Sequence, residues 1–277
     1  LINLGYDDVL DNYVITDSIK DITNLQLPGE NISKFSDVTG INNFVSLGYL
    51  NFNSHLLTSI DVSGLLDLYK IQIAYQGGDG ITELDLSNNT GLVHLEAAGN
   101  TLTSIDLSNN TLLYRVDLRY SPLTTIDLSN SPNLNYLGVG NSQLTRLDFS
   151  NNTGFKSLSA ENSQLTSLNL INVYSMTGLN IKNNSLTCVE VSNPEYYIEM
   201  TDSLNNDLHN SWFVDEGVVF TESCCGYAGY NEDTCTLIPG CTDSVACNYN
   251  DASNTDDGSC EYSPSENHDC AGNCTTE

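Results

Sequence analysis

Apolar residues return along this chain with a period of 21, longer than the rhythm of any single helix or strand. Leu102-Thr103-Ser104-Ile105-Asp106-Leu107-Ser108 recurs from Leu123 and from Leu144, with further copies at Leu57, Ile81, Leu165 and Leu186. The step from Leu57 to Ile81 is 24; Gln76-Gly77-Gly78-Asp79-Gly80 is where the extra residues fit, because glycine tolerates a bulged backbone. The other half of each coil carries Leu92-Leu95-Ala97, Leu113-Val116-Leu118, Leu134-Leu137-Val139 and Phe155-Leu158-Ala160, with Leu47-Leu50-Phe52 and Leu68-Ile71-Ile73 upstream. Each half reads LxxLxL, whose last two apolar positions share one side of a strand. Asn, Ser or Gly follows, often doubled as in Asn88-Asn89 and Asn109-Asn110, where a stacked Asn can satisfy turn backbone. The pattern predicts a mostly β repeat solenoid, a flattened rod with two short strands per coil and no room for a helix.

One coil cannot cover its own leucines, but about eight stacked coils share a continuous core in which each buried leucine contributes roughly 1.5 to 3 kcal/mol. Open ends need caps. Residues 1–21 are expected as an N-terminal cap, with a short amphipathic helix over Leu1 to Asp11, and Gly40-Ile41-Asn42-Asn43-Phe44 as an irregular or helical turn. The solenoid is assigned to 22–191. A C-terminal cap and connection follow over 192–238, where Trp212, Phe213, Val218, Val219 and Phe220 can close the stack. Residues 239–277 form a small cysteine-rich module.

Composition removes whole classes of partner. With 36 acidic against 8 basic side chains and a net charge of −28, the chain would repel nucleic acid and anionic lipid, and suits cations or basic partners. No stretch reaches the 18 or so apolar residues of a membrane helix. None of the nine cysteines precedes Cys188, and eight lie between Cys224 and Cys274. Paired zinc-ligand spacing is missing, so a disulfide framework in an oxidising compartment is expected. Either Cys224 or Cys225 can tie back to Cys188, closing a loop worth on the order of 3 to 4 kcal/mol. The chain opens without methionine, consistent with a trimmed secreted protein.

The repeat resembles the leucine-rich-repeat family, in particular its 21-residue double-stranded variety in secreted Bacteroidetes surface proteins, over Ile22 to about Glu190. The family's LxxLxLxxNxL unit matches Leu92 to Leu102, Leu113 to Leu123, Leu134 to Leu144 and Phe155 to Leu165. Ser121 replaces the consensus Asn, and Asn141 and Asn162 stand one place early. The resemblance implies a Cys188–Cys224 disulfide and a ligand-facing sheet on the first half of each coil. Gly240 to Cys260 resembles a spacer module found before the sorting signal of the type IX secretion route in those bacteria.

Within so strict a repeat, variation marks positions released from the stacking rule. Lys70, His94, Glu96, Tyr114, Arg115, Asp117, Arg119, Tyr120, Tyr136 and Lys156 project from the variable first-half strands and form the candidate ligand-binding face; the bland alternative is a solubilising surface. On the second-half face Asp85, Asp106, Asp127 and Asp148 should stack about 4.8 Å apart. A structural ladder is the simpler reading, with calcium as the one cofactor that such carboxylates could hold. Asp251, Asn254, Asp256 and Asp257 around Gly258 make a second candidate calcium cluster that departs from EF-hand spacing.

Catalysis finds little support. His55, His94, His209 and His268 are scattered, and although Glu96 and Asp117 should be neighbours, a flat face offers no pocket to desolvate either. N-x-Ser/Thr triplets at Asn88, Asn109 and Asn151 arise from the repeat itself. The sequence therefore points to a secreted or cell-surface, non-enzymatic binding module for an extracellular protein or glycan, within a surface complex. The alternative is a structural stalk or assembly subunit, calcium-stabilised.

Overall fold

The computed structural model describes residues 19–29, 33–202, 212–224, 239–240 and 255–256. Short strands follow one another as β1 (Asn24–Gln26), β2 (Tyr49–Asn51), β3 (Lys70–Gln72), β4 (His94–Glu96), β5 (Arg115–Asp117), β6 (Tyr136–Gly138), β7 (Arg146–Asp148), β8 (Ser157–Ser159), β9 (Ser167–Leu170), β10 (Gly178–Asn180) and β11 (Cys188–Val191). Helix α1 (Pro194–Asp202), β12 (Trp212–Phe213), β13 (Val219–Thr221), β14 (Pro239–Gly240) and β15 (Thr255–Asp256) complete the set. The chain divides into two compact units at Glu222/Ser223. The expected helix over Leu1 to Asp11 lies outside the described residues; Ile41–Asn43 does form one 3-10 turn.

Nine strands build one parallel sheet in the order β1-β2-β3-β4-β5-β6-β8-β10-β12. Its register aligns one apolar residue per coil: Leu25, Leu50, Ile71, Leu95, Val116, Leu137, Leu158, Leu179 and finally Trp212. All nine are buried, as are their partners two residues on, from Phe52 and Ile73 through Ala97, Leu118, Val139 and Ala160 to Ile181. The core is thus a stack of like upon like, as the 21-residue period requires.

The opposite side is less regular than the pattern predicts. A second parallel sheet forms only from Arg146 onward, in the order β13-β11-β9-β7. In these coils Leu147, Leu168 and Val189 are buried, and Phe149 stacks on Phe155 at 4.1 Å beneath them. In earlier coils the equivalent Ile105 and Ile126 are only half-buried, and isolated bonds such as Thr124 N–H to Thr103 O (3.0 Å) replace the ladder. Ile60 and Leu84, at the same place in still earlier coils, are buried yet carry no strand, so burial alone does not set where the second sheet forms.

Two polar ladders hold the coil corners. At the first, Asn89 donates to Val62 O and Leu65 O, Asn110 to Leu86 O and Asn89 O, and Asn152 to Leu128 O and Ser131 O, all from buried side-chain amides. At the second, Asn100 donates to Ile73 O and Ala97 O and accepts from Ile81 N–H, while Gln76 does the same work one coil earlier through Phe52 O and Leu57 N–H. His55 holds the next place up, stacked on Phe35 at 3.5 Å, with its Nδ1 accepting from Phe35 N–H and its Nε2 against Leu27 O. Burial lowers its pKa, keeping it a neutral structural group.

Directly before this second ladder seven successive coils each place one residue in the left-handed region: Ser54, Tyr75, Gly99, Tyr120, Asn141, Asn162 and Asn183. This accounts for the displaced asparagines. Asn141 and Asn162 serve the left-handed turn, which Asn tolerates, and serine fills the ladder behind them. The inserted loop likewise turns on Gly78 and Gly80, both at positive φ.

At the C-terminal end α1 closes the stack. Tyr197 is fully buried, packs on Trp212 (5.8 Å) and Phe220 (5.4 Å), and donates its hydroxyl to Val173 O. Cys188 and Cys224 are both disulfide-bonded and fully buried.

The corner ladder carries a stability test. Asn110→Ala strands two buried carbonyls, which costs about 1 to 3 kcal/mol; the lower end is expected because Asn110 Oδ1 has no donor of its own. Thermal unfolding should drop by several degrees, whereas exposed Asn109→Ala should leave the melting temperature within a degree or so.

Candidate ligand-binding face

The register that buries the central column also sets the outward rows. One row runs Tyr49, Lys70, His94, Arg115, Tyr136, Ser157; two residues on, another runs Asn51, Gln72, Glu96, Asp117, Gly138, Ser159. Across strands these side chains are coupled. Lys70 Nζ lies 4.5 Å over the Tyr49 ring, and the Tyr49 hydroxyl bonds Gln72, whose amide donates to Glu96. Glu96 lies 3.7 Å from Arg115, and the Arg115 guanidinium sits 3.8 Å over the Tyr136 ring. Arg119 grips Asp117 with two bonds, Nε to Oδ1 at 2.9 Å and Nη2 to Oδ2 at 2.7 Å.

This pairing shapes the electrostatics. The bonds that Arg119 donates to the Asp117 carboxylate hold its pKa above the ordinary value, and burial raises that of the Tyr136 phenol. His94 is shifted down, chiefly by burial and then by Lys70 and Arg115, so it is neutral near pH 7 and stacks on Tyr114 at 6.2 Å. The basic residues are therefore not a free cationic patch. They are neutralised by their own neighbours or spread over aromatic rings. Glu96 and Asp117 are indeed register neighbours, but each is engaged by other groups, Asp117 in two bonds from Arg119 and Glu96 with Gln72 and Arg115, so they make no free acid/base pair.

Two glycines make room for this arrangement. A Cβ on Gly138 would stand 2.9 Å from both Asp117 Oδ1 and the Tyr136 hydroxyl. One on Gly99 would stand 2.5 Å from the Tyr75 ring. Tyr75 and Tyr120 flank Gly99 from the coils on either side, their ring centroids 6.5 Å apart. Both are left-handed, a conformation that costs a side-chain-bearing residue about 1 to 2 kcal/mol.

Of the ten residues expected on this face, Lys70, His94, Glu96, Arg115, Asp117, Arg119 and Tyr136 join by ring contacts, ion pairs and hydrogen bonds. Tyr114 joins through His94, and Tyr120 through Tyr75. Lys156 is exposed on a later coil, and no side-chain bond links it to them. Tyr49, Tyr75 and Gly99 escaped the sequence reading. Tyr75 was discoverable, since it stands at the same place in its coil as Tyr120.

The aspartate ladder resolves into turns. Oδ1 of Asp61, Asp85, Asp106, Asp127 and Asp148 accepts from the backbone N–H of Ser63, Ser87, Ser108, Ser129 and Ser150 respectively, each at 2.9 Å. That local bond offsets like-charge repulsion along the ladder. Among the described residues no three His, Cys, Asp or Glu side chains come together to hold a metal ion. Of the second calcium cluster, Asp251, Asn254 and Asp257 lie outside the described residues, and Asp256 stands in β15 paired with β14.

Among solved structures the chain is similar to the functional domain of InlJ from Listeria monocytogenes, described as including a cysteine ladder. The TM-score is 0.51 at 23% identity, over 65% of this chain and 46% of that one. An internalin C2 from the same organism gives a TM-score of 0.55 at 16% identity, over 75% of this chain and 84% of that one. The fold is a mostly β parallel solenoid of about 21-residue period, similar in shape to these leucine-rich-repeat domains. At these identities the likeness concerns the fold alone, and the chain spans less than half the length of the InlJ domain. Cysteine is absent from this solenoid before Cys188; Asn, Gln, Ser and His make its ladders. No protein-family model and no curated protein matches the sequence.

The turn aspartates predict an acid response. The backbone and hydroxyl of the serine two residues on lower the pKa of Asp61, Asp85, Asp106 and Asp127 below the ordinary 3.8. A depressed native pKa contributes stability that is complete above the unfolded value and is lost as pH falls through the native one. A variant with all four changed to Asn keeps the acceptor but not the charge. Its acid-unfolding curve, followed by circular dichroism, should lose part of the slope below the ordinary aspartate range, and an unchanged slope would remove these turns from the linkage.

Proposed function

We propose that this chain is a non-enzymatic binding module acting outside the cell or at its outer surface, and that it takes its partner on the nine-stranded sheet. Tyrosine carries the reading. Tyr69, Tyr75, Tyr114 and Tyr120 stand 46 to 52% exposed on this one face, although tyrosine is a residue type that favours burial at contacts. Supporting this, two of them occupy a backbone conformation that Ser, Asn or Gly fills in the other coils, as strained functional positions do. Beneath them the charged groups already hold one another in place, so a partner meets a pre-organised surface.

The disulfide-bonded Cys188 and Cys224 support an oxidising location. No helix among the described residues is long and apolar enough to cross a membrane. The 21-residue pattern and the Gly240 to Cys260 segment support a place among secreted surface proteins of the Bacteroidetes type, with residues 239–277 as a spacer. A purely structural stalk is the competing role, favoured by the uniform Asp-Ser-Thr side, where Asp85, Asp106 and Asp127 each accept from the serine N–H of their own turn.

The two roles separate in one experiment. Immobilised wild-type chain is expected to retain protein or carbohydrate components from an extract of the source cell's surface. A variant with Tyr69, Tyr75, Tyr114 and Tyr120 changed to Ala should lose that retention by more than about tenfold, with its melting temperature preserved because the four side chains are half-exposed. Equal retention by the variant would leave the stalk.

A further inference from the structure

We infer that the partner bound on this face is a short neutral oligosaccharide, an inference that rests on the binding role proposed above and names its ligand class. The four exposed tyrosines are not scattered. Tyr69 and Tyr75 flank β3, and Tyr114 and Tyr120 flank β5 in the same way two coils further on. They mark the corners of a patch about 10 Å across two inter-strand steps and at most about 20 Å along the strands. Its floor is polar: Lys70, Gln72, His94, Glu96, Arg115 and Asp117.

That layout inverts the anatomy of a protein interface, which places apolar and aromatic groups at the centre and charge at the rim. Here charge and amide groups occupy the centre, and aromatic rings occupy the ends. A ligand with a hydroxyl-rich edge and an apolar ring face fits both parts. Planar groups already fixed in pairs, the Arg119–Asp117 fork at 2.7 and 2.9 Å and the Gln72–Glu96 bond, present donors and acceptors at coil spacing. Tyr75 and Tyr120, 6.5 Å apart across Gly99, present ring surface on which a pyranose can lie. Neutral charge follows from the pairing: the cations of the floor have partners of their own, and the chain carries a net −28 that disfavours an anionic sugar.

Titration of the full chain with cellotetraose, laminaritetraose, mannotetraose and chitotetraose, by calorimetry and saturation-transfer NMR, tests this, with tetragalacturonate as the acidic comparator. At least one neutral tetrasaccharide should bind with millimolar or better affinity and more tightly than tetragalacturonate at low salt. The Tyr75→Ala/Tyr120→Ala variant should weaken it about tenfold or more, while Tyr75→Phe/Tyr120→Phe, which keeps the rings, should stay within about threefold. A thermal melt checks that each variant is folded. Failure of all four neutral sugars to saturate by about 10 mM, tighter binding of tetragalacturonate, or equal binding to the Ala variant would overturn the assignment of a neutral sugar. If no sugar binds yet the four-tyrosine variant loses retention of a surface protein, the binding role stands and the ligand is protein.

Discussion

Parallel backbone pairing between consecutive coils is the constraint from which everything else here follows. No coil encloses its own apolar residues, so each depends on the neighbour above and below to remove them from water. Pairing at one residue per coil, from Leu25 to Trp212, puts every central side chain on the one before it. A slip by one residue would turn that column out to solvent. The corner ladders of Asn89, Asn110 and Asn152 and of Gln76 and Asn100 satisfy the carbonyls that such tight turns would otherwise bury unpaired. The stack ends where aromatic groups of α1, β12 and β13 can cover its last edge.

Once the inward column is set, the outward rows have no freedom of position, only of identity. Lys70, His94, Arg115 and Tyr136 are neighbours because Ile71, Leu95, Val116 and Leu137 are. The face is therefore made by side-chain choice on a rigid grid, the condition under which a polar constellation can be held without loops. Gly99 and Gly138 belong to that choice. Their missing side chains let residues of adjacent coils lie across the sheet.

Charge is managed locally throughout. The repeated aspartates would repel if left free, yet each is bonded within its own turn. On the opposite sheet Lys70, Arg115 and Arg119 are matched to Asp117, Glu96 or an aromatic ring. The result is a nearly neutral sheet surface on an anionic body.

The sequence by itself determined the coil, its length, the inward column and the side on which variation gathers, because these depend on a repeating apolar pattern that any neighbour of like sequence must satisfy. It also showed where three residues had been inserted, since Gly78 and Gly80 can take the positive φ that the longer turn needs. Only the tertiary structure decided which outward residues act together. Contacts such as Tyr49 with Gln72, Arg115 with Tyr136 or Tyr75 with Tyr120 join residues about 20 to 45 positions apart, and rest on rotamers and left-handed corners that leave no mark in the period. The second sheet was legible only in part: the LxxLxL pattern is present in every coil, but the backbone pairs into a ladder only from Arg146 onward.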